Sequence, residues 1–101
     1  MIIYNVTSLV DEEILPQWLE YIKKHMKDML DTGKFQSATL SRIITDQEEG
    51  HSYSVQYKCE TRELLNEYYE LDAKALREDI IEKFGGQVIS FRTELEVLHE
   101  Q

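Results

Sequence analysis

The sequence predicts an α+β fold with the element order βαββαβ, and three observations carry that prediction. The stretch Ser52–Glu60, SYSVQYKCE, alternates Tyr53, Val55, Tyr57 and Cys59 against Ser52, Ser54, Gln56 and Lys58. A period of two with aromatic and β-branched residues in one row marks a strand with one buried face. Two longer segments, one on either side of it, carry apolar residues at helical spacing. Further alternating segments stand at the start, before the hairpin and at the end. Right-handed crossovers and one antiparallel hairpin make this order the split βαβ, ferredoxin-like arrangement. It has a four-stranded antiparallel sheet with the first and third strands central and both helices on one face.

Each element follows from local signals. Ile2–Leu9 alternates Ile2, Tyr4 and Val6 against Ile3, Asn5 and Thr7, which reads as the first strand. Asp11, Glu12 and Glu13 place negative charge where a helix dipole favours it, and Pro16 falls within the first turn. Ile14, Leu15, Trp18, Tyr21, Ile22, His25, Met26 and Met29 then share one arc of a helix, opposite a charged arc. Gly33 supplies a left-handed stop. Phe35–Thr45 reads as a second strand with imperfect alternation and room for a bulge. Asp46-Gln47-Glu48-Glu49-Gly50 reads as the hairpin tip. Thr61 is placed to cap a second helix, whose apolar spacing slips at Leu71–Ala73 and predicts a kink there. Gly85-Gly86 ends it. Gln87–Leu98 reads as a long fourth strand, with Ile89, Phe91, Leu95 and Val97 expected towards the helices and Val88, Ser90, Arg92 and Glu94 away from them.

Composition sets the functional bounds. The 101 residues suit one domain spanning 1–101. Twenty acidic against eleven basic residues give a formal charge of −9, which repels phosphate backbones and anionic lipid. Neither nucleic acid nor a membrane is therefore an expected partner. Ser54 and Gln56 also occupy the places where a nucleic-acid-binding sheet would want aromatics. Cys59 is the sole cysteine, which leaves no intramolecular disulfide and no thiolate zinc site within the chain. No histidine pair has ligand spacing, so no metal is expected. The opening residues lack a signal-peptide pattern, and no apolar run nears membrane-spanning length, so a reducing, cytoplasmic setting is expected.

The sheet face turned away from the helices is the informative one. It is expected to carry Ile3, Asn5, Thr7, Ser52, Ser54, Gln56 and Lys58, together with Val88, Ser90, Arg92 and Glu94. Small neutral polar groups suit an enclosed wet cavity or a polar subunit interface, and an ordinary solvated face is the plain alternative. Ile3 and Val88 left uncovered call for a two-fold partner, so a homodimer through this face is expected. Arg92, opposite Phe91, is expected to meet an anion or a carboxylate such as Glu94 or Glu96 of the other copy. His25 lies inside the apolar arc of the first helix. It is read either as a satisfied core histidine or as a proton-transfer group, with Tyr4, Tyr57 or a backbone carbonyl as its partner.

MIIYNVT, HMKDMLDTGKFQSATLSRI, SYSVQYKCE and EKFGGQVISFRTELEVL together resemble a family of short, uncharacterised bacterial proteins in the dimeric α+β-barrel superfamily. The resemblance spans nearly the whole chain. Its most specific parts are His25…Thr32-Gly33-x-Phe35 and Phe84-Gly85-Gly86…Phe91-Arg92-Thr93. It implies a homodimer whose two sheets face each other, and it brings no assigned activity. The wider superfamily includes antibiotic-biosynthesis-type and haem-degrading monooxygenases. In the haem-degrading members an Asn on strand one, a Trp ending strand three and a His on helix two build the site. Asn5 matches the first, Cys59 stands in place of the second, and residues 61–84 contain no His. No cofactor is therefore expected.

Two functional readings remain. One is a binding or regulatory module that holds a small molecule, or nothing, within the dimer. The other is a cofactor-independent monooxygenase- or isomerase-like enzyme that polarises its substrate with Asn5, Gln56 and Arg92. The candidate ligand-binding residues are Asn5, Ser54, Gln56, Arg92 and His25. A shallow or water-filled cavity favours the first reading, and a closed pocket of a few hundred Å³ the second.

Overall fold

A computed structural model describes residues 1–45 and 51–101. Strand β1 (Ile2–Val10) leads through a 3₁₀ turn into helix α1 (Leu15–Asp31). Strands β2 (Ser37–Arg42) and β3 (Ser52–Cys59) follow, then helices α2 (Arg62–Leu71) and α3 (Ala73–Phe84), a second 3₁₀ turn and strand β4 (Val88–Glu96). The sheet order is β2-β3-β1-β4, all antiparallel, so the first and third strands are central as expected. This is the ferredoxin-like fold. The expected hairpin tip, Asp46–Gly50, lies outside the described residues.

The local signals act where the sequence puts them. Asp11 Oδ1 accepts from Glu13 N–H at 3.4 Å, and Thr61 Oγ1 accepts from Leu64 N–H at 3.2 Å. Gly33 (φ +80°) and Gly85 (φ +56°) take the left-handed backbone that a side chain would resist. The expected kink is a true break: Asp72, at φ −122° and ψ −35°, separates α2 from α3. Lys34 Nζ lies 3.1 Å from Asp72 Oδ2 and ties this break to the turn after α1. Strand β2 is shorter than Phe35–Thr45, and its register with β3 runs without a bulge from Ser37↔Lys58 to Arg42↔Tyr53. Phe35 instead leaves the ladder and enters the core, where it is 6% exposed.

The core lies between the helices and the row Ile2, Tyr4, Val10, Tyr53, Val55, Tyr57 and Cys59. Trp18, Met29, Leu65 and Tyr68 descend onto it from the helices. Burying each large side chain contributes about 1.5–3 kcal/mol before entropy is subtracted. Tyr4 is the hub, with ring centroids of Phe35, Tyr57, Tyr68 and Tyr69 all within 6.2 Å. Its hydroxyl accepts from Arg77 Nη2 at 3.0 Å, joining β1 to α3.

Strand β4 corrects the sequence reading. Its register with β1 pairs Thr7↔Phe91, Leu9↔Ile89 and Ile3↔Leu95, while Val6↔Arg92, Ser8↔Ser90 and Val10↔Val88 form the other row. Directly paired residues share a face. Ile89, Phe91, Thr93 and Leu95 therefore lie on the open face, and Val88, Ser90, Arg92 and Glu94 lie on the helix side. Alternation alone favours the apolar row for the core when a sheet buries one face only; this strand turns its larger apolar side chains the other way.

Tyr4→Ala should cost about 3–5 kcal/mol, because it opens a cavity among four rings. Tyr4→Phe keeps the rings and deprives Arg77 of its acceptor, and should cost about 1–3 kcal/mol. Urea unfolding of the two variants measures both, and equal losses would contradict the ring cluster as the main contribution.

Candidate functional site

Moving Ser90 and Arg92 to the helix side creates a cleft between α1, α3 and the β1–β4 ladder. Its floor is Tyr4, Val6, Val55 and Tyr57, and its walls include Trp18, Ile22, Leu76, Ile80 and Val88. Its polar groups are Ser8, His25, Arg77, Ser90 and Arg92, with the Tyr4 hydroxyl held by Arg77. The space open to water is about 20 Å³, room for roughly one water molecule, within about 440 Å³ of empty volume counted out to the mouth.

Each polar group reaches the cleft through the geometry of its element. Ser8 and Ser90 are direct partners across the β1–β4 ladder, and their hydroxyls lie 3.0 Å apart. That contact uses one O–H of the pair and leaves the other free to donate. His25 stands one helical turn from Tyr21 and Met29, stacks on the Tyr21 ring at 5.9 Å, and is 7% exposed. Its Nδ1 is buried without a hydrogen-bond partner. The backbone carbonyl or tyrosine hydroxyl expected from the sequence does not bond it. Burial lowers the His25 pKa; Asp28 and Asp79 act against that, and the charge of Arg92 adds to it.

Arg77 is half-buried, stacks over Tyr69 at 5.9 Å and keeps a buried Nε without a partner. Arg92 is exposed at the mouth and makes no hydrogen bond or ion pair among the described residues. It lies on the helix side, so the carboxylate partner expected for it across the open face is withdrawn. Glu94 belongs within its own chain: Arg62 holds it with two bonds of 2.9 and 3.2 Å, and the Tyr69 hydroxyl donates to it. Arg62, then Tyr69, keep its carboxyl below the usual carboxylate range.

The other candidates lie on the opposite side of the sheet. Asn5 Nδ2 donates to Thr7 Oγ1 and Thr93 Oγ1, each at 3.1 Å, and its Oδ1 accepts from Ser54 Oγ at 2.6 Å. The amide is thus occupied by neighbours on three strands. Gln56 pairs with Asn5 in the β1–β3 ladder. The structure therefore splits the sequence candidates into Asn5, Ser54 and Gln56 on the open face and His25 and Arg92 in the cleft. Ser8, Ser90 and Arg77 are the members that sequence reasoning missed. Ser8 is a small polar residue in an otherwise apolar row of β1, whereas Ser90 shares its row with Arg92 and Glu94 and gains meaning only once the β4 register is known.

Cys59 is fully buried, its thiol donates to the Thr61 carbonyl oxygen at 3.3 Å, and burial pushes its pKa up, so it offers no nucleophile. Among the described residues no cluster of three or more His, Cys, Asp or Glu side chains could hold a metal ion, and no helix is long and apolar enough to cross a membrane.

Comparison with known proteins agrees with this architecture. Two solved structures described as dimeric ferredoxin-like proteins from uncultured marine organisms superpose with TM-scores of 0.74 and 0.71, at 14% and 10% identity. Each match covers 99% of this chain and 96% of the other. An ethyl tert-butyl ether D (EthD) family protein from Bacillus halodurans superposes at 0.69 with 17% identity, covering 97% of this chain and all of its own. At such identities the likeness speaks to the fold. No curated protein matches the sequence. The family described as "Domain of unknown function (DUF4286)" matches residues 1–98, and the chain belongs to it.

The cleft makes a titration prediction. A depressed folded pKa means that the unfolded state binds the proton first, so the His25 contribution to stability is complete above about pH 6.5 and declines as pH falls towards the folded value. NMR titration should give His25 a lower pKa in the folded protein than in urea. Equal values would contradict the buried imidazole.

Proposed function

We propose that this member of the family works as one domain in a homodimer of the α+β-barrel kind, and that it binds a small molecule in the cleft of each subunit. The observation that carries the binding reading is the His25 Nδ1, buried and unpartnered in a cleft with an open mouth. An unpaired buried polar atom costs about 1–3 kcal/mol, a cost that a ligand able to bond it would relieve. The small enclosed volume favours a binding or regulatory module over the monooxygenase- or isomerase-like alternative, which needs room for a whole substrate.

The open face supports the dimer. Strands β1 and β4 present Ile3, Leu9, Ile89, Phe91 and Leu95 as one apolar band beside the Asn5 cluster, and Leu9, Ile89, Phe91 and Leu95 are 42–57% exposed. Lys58 is the single charged residue in the paired rows of this face, although the chain carries −9 overall. A second copy meets such a face without like-charge repulsion, and a two-fold axis lets one patch cover its twin. Two of the structural neighbours are themselves described as dimeric. The lone, buried Cys59 thiol accords with a reducing cytoplasm.

Light scattering should give twice the 12.0 kDa chain mass at micromolar concentration, and Phe91→Asp should give folded monomers by placing a carboxylate in each half of the interface. A stable wild-type monomer would refute the dimer. A neutral and charged fragment screen followed by NMR should perturb Trp18 and His25 together. A screen with no compound reaching those two residues would refute the binding site.

A further inference from the structure

We propose that the cleft selects a small carboxylate with an apolar body, its head seated between His25, Ser90 and the two arginines and its body at the mouth against Ile80 and Val88. The inference rests on the binding reading above and assigns the ligand class. Three observations carry it.

The first is the charge of the lining. Acids outnumber bases twenty to eleven in the chain, yet the residues lining the cleft include Arg77, Arg92 and His25 and no Asp or Glu. The carboxylates that influence His25, those of Asp28 and Asp79, lie outside the lining. The second is the supply of unused donors. The His25 Nδ1 and the Arg77 Nε are both buried without partners, the Arg92 guanidinium is unpaired among the described residues, and one hydroxyl proton of the Ser8–Ser90 pair is free. The Arg77 Nε and Arg92 only donate, and His25 donates from Nδ1 in the appropriate tautomer. A cleft whose unused groups are donors accepts an anion, and two guanidiniums suit the planar fork of a carboxylate.

The third observation is size. About 20 Å³ of water-accessible space, room for about one water-sized group, admits a carboxylate oxygen and excludes a whole ligand. The body is left at the mouth, where Ile80 and Val88 offer apolar surface beside the exposed Arg92. A bare inorganic anion would leave that surface uncovered.

Titration with benzoate, its neutral isostere benzamide, and inorganic phosphate tests the assignment, with NMR of Trp18 and His25 as readout. Benzoate should saturate, raise the His25 pKa by placing negative charge beside the ring, and bind at least about tenfold more tightly than benzamide or phosphate. Arg92→Gln alters an exposed residue with no partner among the described residues. It should weaken benzoate about tenfold and leave benzamide unchanged. Equal affinity for benzoate and benzamide would overturn anion selection while leaving the binding site intact. Phosphate as tight as benzoate would overturn the apolar body, and an unchanged Arg92→Gln would remove Arg92 from the site. No saturable binding by any of the three probes would overturn the assignment, and only the fragment screen failing as well would take the binding site with it.

Discussion

The structure depends on the packing of one ring. Tyr4 lies on the central strand, and four other aromatic rings from the turn after α1, from β3 and from α2 close around it. Several elements converge on it: Phe35 comes from the segment before β2, Tyr57 from β3, Tyr68 and Tyr69 from α2, and Arg77 from α3. Aromatic pairs in offset and edge-to-face geometry contribute about 0.5–1.5 kcal/mol beyond the area they bury. Because the tyrosine hydroxyl remains polar, the same residue also holds a guanidinium that lines the cleft. Core and candidate site are therefore built from one side chain.

Two surfaces with opposite chemistry result from a sheet with unlike rows. The helix side of β4 carries Ser90, Arg92 and Glu94, and the open side carries Ile89, Phe91 and Leu95. In a protein that buries only one face, that order would be reversed. The polar row is tolerated because Glu94 finds Arg62 and Tyr69, Ser90 finds Ser8, and Arg92 reaches water. The apolar row remains without cover in the single chain, so the electrostatics and the hydrophobic surface both set apart a face for association.

Most of the fold was legible because its signals are local. Thr61, Gly33, Gly85 and the slip at Leu71–Ala73 act through their own backbone, and each appears where the sequence places it. The β4 faces were not legible, since alternation gives two rows and only the partner strand decides which row is inside. The rule that the apolar row faces the core fails for a chain with a second surface to bury. The candidate site was readable only in part for the same reason. His25 stood out as a polar residue within an apolar helical arc, whereas Ser8 and Arg77 gain meaning from what lies opposite them in three dimensions. The missing His25 partner could not be read from the sequence, because which groups reach a ring nitrogen depends on the tertiary packing around it.

The ladder between β1 and β4 also bears on the order of synthesis. Ile2 pairs with Glu96, and the Val97 N–H donates to the Met1 carbonyl oxygen at 3.0 Å, so the segments that close the sheet are those farthest apart in the chain. Strand β1 can pair with β3 once the middle of the chain has been made, but its other edge stays open until β4 has left the ribosome. Contacts of such sequence separation form slowly, and an open central strand is exposed to association with other chains meanwhile. Asn5 lies on that waiting edge with its amide turned to the face where Thr93 will arrive. The bond to Thr93 adds one side-chain tie across this ladder, and it forms only when the last strand docks.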